Sequence, residues 1–140
     1  MKKISYLIIL LCLILPLFAC KKNPNIIYFN DDNISNFIDL FYKEINENSL
    51  YVAYDLRTRD EYLDEHLKQF QNNNNDLLNV ISNNTTSKYD VYIFTSSALD
   101  IDFSNIDVQN IYILTTTYEK LKEYGKTYFV FDKGEYDCGC

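Results

Sequence analysis

The chain has 140 residues, with 13 Lys and Arg against 20 Asp and Glu and a formal net charge of −7. That balance excludes nucleic acid as an expected partner, because phosphate binding rests on clustered basic side chains. With 47% hydrophobic and 16% aromatic residues, the chain has enough apolar surface for a core, which excludes a disordered polypeptide.

Lys2 and Lys3 precede an almost wholly apolar stretch from Ile4 to Phe18, and Ala19 and Cys20 follow at once. A short apolar run behind a positive start and ahead of small residues has the form of a secretory signal peptide, here 1–19. The ending Leu17-Phe18-Ala19-Cys20 resembles the Leu-x-small-Cys lipobox of bacterial lipoproteins. This resemblance implies cleavage ahead of Cys20 and lipid on its sulfur and amine. The protein is then expected outside the cytoplasm, held to a membrane by lipid on Cys20. Each buried CH₂ contributes about 0.8 kcal/mol, so several acyl chains on one residue give lasting attachment. Residues 20–25 read as the lipidated Cys and a tether. The remaining 121 residues, Cys20 to Cys140, carry 11 basic and 20 acidic side chains and suit one domain.

Along that domain, 26–29 reads as a brief strand, and Asp31 or Asp32 is placed to cap the helix that follows. Ile34, Phe37, Ile38, Phe41 and Ile45 recur at intervals of three and four, which predicts a helix with one buried face. The run 49–55 predicts a buried parallel strand. Thr58 and Glu61 have the spacing of a capping box, so a helix starts there, with Tyr62, Leu63, His66, Leu67 and Phe70 on one face. Asparagines 72–75 read as a low-complexity loop, and 76–83 as a short helix. Strands are expected at 90–95, 110–115 and 127–131. The segment 96–109 reads as a polar, acidic connection, and 118–124 as a helix with Gly125 as its C-cap. Strands alternating with helices predict an α/β fold, a small parallel sheet with helices on both faces. Function in such sheets gathers at the carboxyl ends of the strands, here after Tyr54 and after Phe94.

Asp55, Arg57, Glu61, Tyr62, His66, Leu67 and Asn72 fall in register with D-x-R-x-x-x-E-[YF]-x-x-G-H-[IL]-P-G-A-x-N. This is the first signature of the rhodanese domain, which the chain resembles over about 26–131. The stretch 110–125 is similar to the family's later strand, Gly pair and helix. The departures are informative. Glu65 stands for the family Gly, Lys68-Gln69-Phe70 for Pro-Gly-Ala, and Thr116 and Thr117 for the Gly pair. Active members carry a Cys at the end of the central strand, then a loop whose backbone N–H groups face an anion. Thr95 occupies that position, and the sequence has no Cys between Cys20 and Cys138. A Thr hydroxyl is far less acidic than a thiol and forms no persulfide. Asp100, Asp102 and Asp107 follow, with no basic residue between Lys88 and Lys120, so an anion meets repulsion. Asp55, Arg57, Glu61 and His66 are therefore expected to be a structural frame, not catalytic groups.

Cys138 and Cys140 form a Cys-Gly-Cys tail within the polar end, 132–140. The plain reading is a pair of exposed thiols; the alternative is a redox pair or sulfur carrier that supplies a thiol-dependent sulfurtransferase reaction. The alternating carboxylates of 100–107 lack the mid-loop Gly and closing Glu of a calcium loop. No metal and no cofactor are expected. The sequence thus points to a membrane-anchored, catalytically inactive rhodanese-like module that binds or scaffolds a protein or small ligand.

Overall fold

The computed structural model describes residues 23–47, 50–125 and 129–130. Cys20, Cys138 and Cys140 lie outside them, as does the signal peptide. The chain forms β1 (Asn25–Phe29), a 3-10 turn (Asp31–Asn33), α1 (Ile34–Glu47), β2 (Tyr51–Asp55), α2 (Arg59–Asp64), β3 (His66–Leu67) and β4 (Gln71–Asn72). Then come α3 (Leu77–Asn84), β5 (Asp90–Thr95), β6 (Asn110–Thr115), α4 (Tyr118–Gly125) and β7 (Phe129–Val130). Five strands make one sheet in the order β1-β6-β5-β2-β4, and every neighbouring pair is parallel.

The strands bury both faces, as an all-parallel sheet requires. Successive side chains point to opposite sides. Ala53, Tyr92, Phe94 and Leu114 therefore meet one core cluster, with Ile34, Phe37, Ile38 and Phe41 of α1 and Leu121 of α4. Tyr54, Val91, Ile93, Ile111 and Ile113 meet the other, with Leu77 and Ile81 of α3. Helices thus cover both faces, as the alternation of elements predicts.

Four details differ from the sequence expectation. The cap before α1 is Asn30, not Asp31 or Asp32. Its Oδ1 accepts from the Asp32 N–H at 2.9 Å, and Asn33 Oδ1 accepts from the Asn30 N–H at 2.7 Å.

Secondly, the helix begun at Thr58 ends at Asp64, so His66, Leu67 and Phe70 do not continue it. Glu65 is extended, and its carbonyl accepts a 2.7 Å hydrogen bond from Arg57 Nη2. A partner outside the helix thus takes the place of the next helical turn.

Thirdly, the segment 96–109 contains no helix, and it is not simply polar. Phe103, Ile106 and Val108 are buried in the second cluster, while Asp100, Asp102 and Asp107 face solvent. Alternation of apolar and acidic residues lets an irregular segment cover a sheet face.

Lastly, the described part of 127–131, β7, does not join the parallel sheet. It pairs antiparallel with β3, His66 opposite Val130 and Leu67 opposite Phe129.

Candidate functional site at the carboxyl edge of the sheet

The strand order places a topological switch between β2 and β5. From β5 the chain moves to β6 on one side; from β2 it moves to β4 on the other. A crevice opens where adjacent strands send their connections in opposite directions. Both segments singled out from the sequence, after Tyr54 and after Phe94, lie here.

The frame residues come together beneath one face. Asp55 and Arg57 are 1% and 4% exposed. Arg57 Nε donates to both carboxylate oxygens at 3.1 Å, Nη2 donates to Oδ2 at 2.8 Å, and the Arg57 backbone N–H donates to Oδ1 at 3.0 Å. The guanidinium lies 5.5 Å from the Phe94 ring centre and 4.8 Å from that of Tyr118. Asn72 Nδ2 donates to the carbonyls of Asp55 and Arg57 at 3.1 and 2.9 Å, which holds β4 against the strand end.

Thr58 and Glu61 form the expected capping box. Thr58 Oγ1 accepts from the Glu61 N–H, and Glu61 Oε1 accepts from the Thr58 N–H, both at 3.3 Å. Glu61 is therefore held at the start of α2 and stays exposed. His66 is 5% exposed; its ring stacks on Tyr62 at 3.7 Å between centroids, and Nδ1 lies 2.9 Å from the Tyr62 carbonyl. The ring is fixed by its own neighbours at a helix end.

Glu65, which the sequence marks only as a substitution, is a working part of this frame. It is 7% exposed, pairs with Lys122 at 2.9 Å and accepts a short hydrogen bond from the Tyr118 hydroxyl. Burial pushes its carboxyl up. The bonds from Tyr118 and Lys122, with the charges of Lys122 and Arg57, outweigh burial and leave its pKa below the usual value. Burial and the Glu65 carboxylate raise the Tyr118 hydroxyl. Gln69 closes the turn from β3 to β4 with φ of 71°. The left-handed region favours Gly, and Gln69 stands where the rhodanese signature has one.

Thr95 is separate from all of this. Alternation along β5 sends Phe94 toward Arg57 and Thr95, with Ile93, toward the α3 face. Thr95 is 3% exposed. Its hydroxyl donates to the Ser97 carbonyl at 2.8 Å and accepts from the Ser97 N–H at 3.3 Å. The structure therefore gathers Asp55, Arg57, Glu65 and Tyr118 but does not bring Thr95 among them.

Thr95 borders a cavity of ≈ 250 Å³ on the α3 side, outside the ends of β5, β2 and β4. Leu56, Leu77, Leu99 and Ile101 supply its apolar wall, and asparagines 73–75, Asp76 and Ser97 complete the polar part. Asn73 escapes sequence reading because nothing distinguishes it within a run of four asparagines.

A second polar cluster lies at the amino edge of the sheet. Asn25 Nδ2 donates to Asn110 Oδ1 at 3.2 Å, and Asn110 Nδ2 donates to Asp90 Oδ1 at 2.8 Å, across three neighbouring strands. Tyr92 gives a short hydrogen bond to Glu44. Burial, then Asp90, pushes the Glu44 carboxyl up to about 7. The Tyr92 hydroxyl is also raised, first by burial and then by Glu44.

These observations define an α/β protein with a five-stranded parallel sheet and a crevice at its switch point. No protein-family model matches the sequence, and no curated protein matches it. Among the described residues, no helix is long and apolar enough to cross a membrane.

Proposed function

We propose that this is a lipid-anchored, extracytoplasmic, rhodanese-like module that binds or scaffolds a partner and transfers no sulfur. One observation carries the reading: where the signature puts a thiolate, the chain has Thr95, buried and closed into a turn with Ser97. A hydroxyl so placed has neither the acidity nor the access of a sulfur nucleophile. The resemblance itself is supported by the meeting of Asp55, Arg57 and Asn72 at one strand end. The positive φ of Gln69 at the signature's Gly position supports it too.

The lipid anchor rests on the 17–20 motif, and it keeps the module at a membrane surface, where a binding role needs no turnover. The test is thiocyanate production from thiosulfate and cyanide by the full chain. No production above the uncatalysed rate is expected. Turnover that disappears in Cys138→Ser or Cys140→Ser would replace this reading with that of a tail-thiol sulfurtransferase.

A further inference from the structure

We infer that the cavity outside β5, β2 and β4 binds a small uncharged molecule with a hydrogen-bond-accepting oxygen on an apolar body. The inference rests on the non-catalytic reading above and specifies its ligand. The chemistry of the wall carries it. Asn73 Nδ2 is buried and has no hydrogen-bond partner among the described residues. The orientation of its amide is fixed, because Asn73 Oδ1 accepts the Asn75 N–H at 2.9 Å. A flipped amide would set two donors against each other, so the NH₂ edge is the one left over. Buried donors without an acceptor are rare in folded proteins, and each calls for an explanation. A ligand oxygen supplies the missing acceptor.

Charge narrows the class. Among the lining residues Asp76 alone is charged, and none is Lys or Arg. Asp76 stands at the head of α3 in the left-handed region, φ 51°, and its side chain does not cap the helix. Its carboxylate instead accepts from Asn79 Nδ2 at 2.7 Å. A negative charge there offsets the positive end of the helix and opposes an anion. The Asn73 donor in turn opposes a cation. A neutral acceptor satisfies both. Leu56, Leu77, Leu99 and Ile101 then favour an apolar body. A volume of ≈ 250 Å³ lies below the common range of ligand pockets. At ~30 Å³ per water it has room for roughly eight or nine non-hydrogen atoms.

Benzamide and benzoate have that size and the same shape, and they differ in charge. The experiment is an NMR titration of the isotope-labelled full chain with each, and with thiosulfate. Benzamide is expected to move the Asn73 side-chain amide and the backbone amides of Leu56, Leu77 and Ser97 saturably. Benzoate should bind at least about tenfold more weakly. Asn73→Asp keeps the acceptor for the Asn75 N–H but removes the donor. It should weaken benzamide about tenfold, the scale of one lost hydrogen bond, while the spectrum stays dispersed. If that variant unfolds, the comparison of benzamide with benzoate on the unaltered chain decides. Unmoved resonances, or equal affinity for benzoate, would overturn the inference; if thiosulfate is also silent, the non-catalytic reading survives it. Saturable thiosulfate shifts at the same residues would overturn both.

Discussion

Replacing Arg57 with Ala is the most informative perturbation of the frame. The side chain makes three hydrogen bonds to Asp55 and one to the Glu65 carbonyl, and it lies against Phe94 and Tyr118. Without it, the Asp55 carboxylate, 1% exposed, keeps only the backbone N–H of residue 57. Breaking a buried pair from one side costs about 3–5 kcal/mol, because the remaining charge stays buried. The lost ring contacts add about 0.5–2 kcal/mol. Such a sum is a large share of a domain stability of about 5–15 kcal/mol. With a urea dependence of about 2 kcal/mol/M, the midpoint in far-UV circular dichroism should fall by about 1.5–2.5 M. Asp55→Asn combined with Arg57→Met removes both charges and should recover much of the loss. An Arg57→Ala protein within about 1 kcal/mol of the parent would refute the reasoning. The pair would then be held for a ligand and would not support the fold.

Three further outcomes follow. Glu44→Gln should remove a pH dependence of stability. The Glu44 carboxyl is raised to about 7 from an ordinary value of 4.5, so folding favours its protonated form. Stability from this group is complete below about pH 4.5 and is lost as pH rises to about 7. Water reaches this side chain, so screening reduces the effect to about 1 kcal/mol. Melting temperatures across that window should show a smaller slope in the variant, and an unchanged slope would contradict the assignment. Gln69→Gly should stabilise the protein by about 1 kcal/mol in urea unfolding, since it relieves a left-handed backbone at φ 71°; a destabilised variant would show that the Gln side chain matters more than its backbone. Thr95→Cys should yield a thiol that iodoacetamide does not label in the folded protein, read by peptide mass spectrometry. It should restore no sulfurtransferase activity.

Much of the fold was legible because its cause is local. The three-and-four spacing from Ile34 to Ile45 gave α1, and the Thr58–Glu61 box gave the start of α2. Apolar runs of strand length gave β2, β5 and β6. The failures occur where a distant partner decides. Arg57 captures the Glu65 carbonyl and ends α2 early. The pairing of β3 with β7 depends on residues more than sixty positions apart. The acidic residues of 96–109 hid its apolar half, because Phe103, Ile106 and Val108 lie in no regular period. The frame was visible as a motif. That Asp55 and Thr95 face opposite sides of the sheet was not, since it depends on the register of two strands.

The central claim is that the end of β5 has nothing with which to hold a sulfur anion. Calorimetric titration of the full chain with thiosulfate, at low ionic strength where electrostatic attraction is strongest, tests it most directly. No saturable heat is expected. A saturable isotherm that is abolished by changes at Thr95 or Ser97 would contradict the account and return the crevice to catalysis.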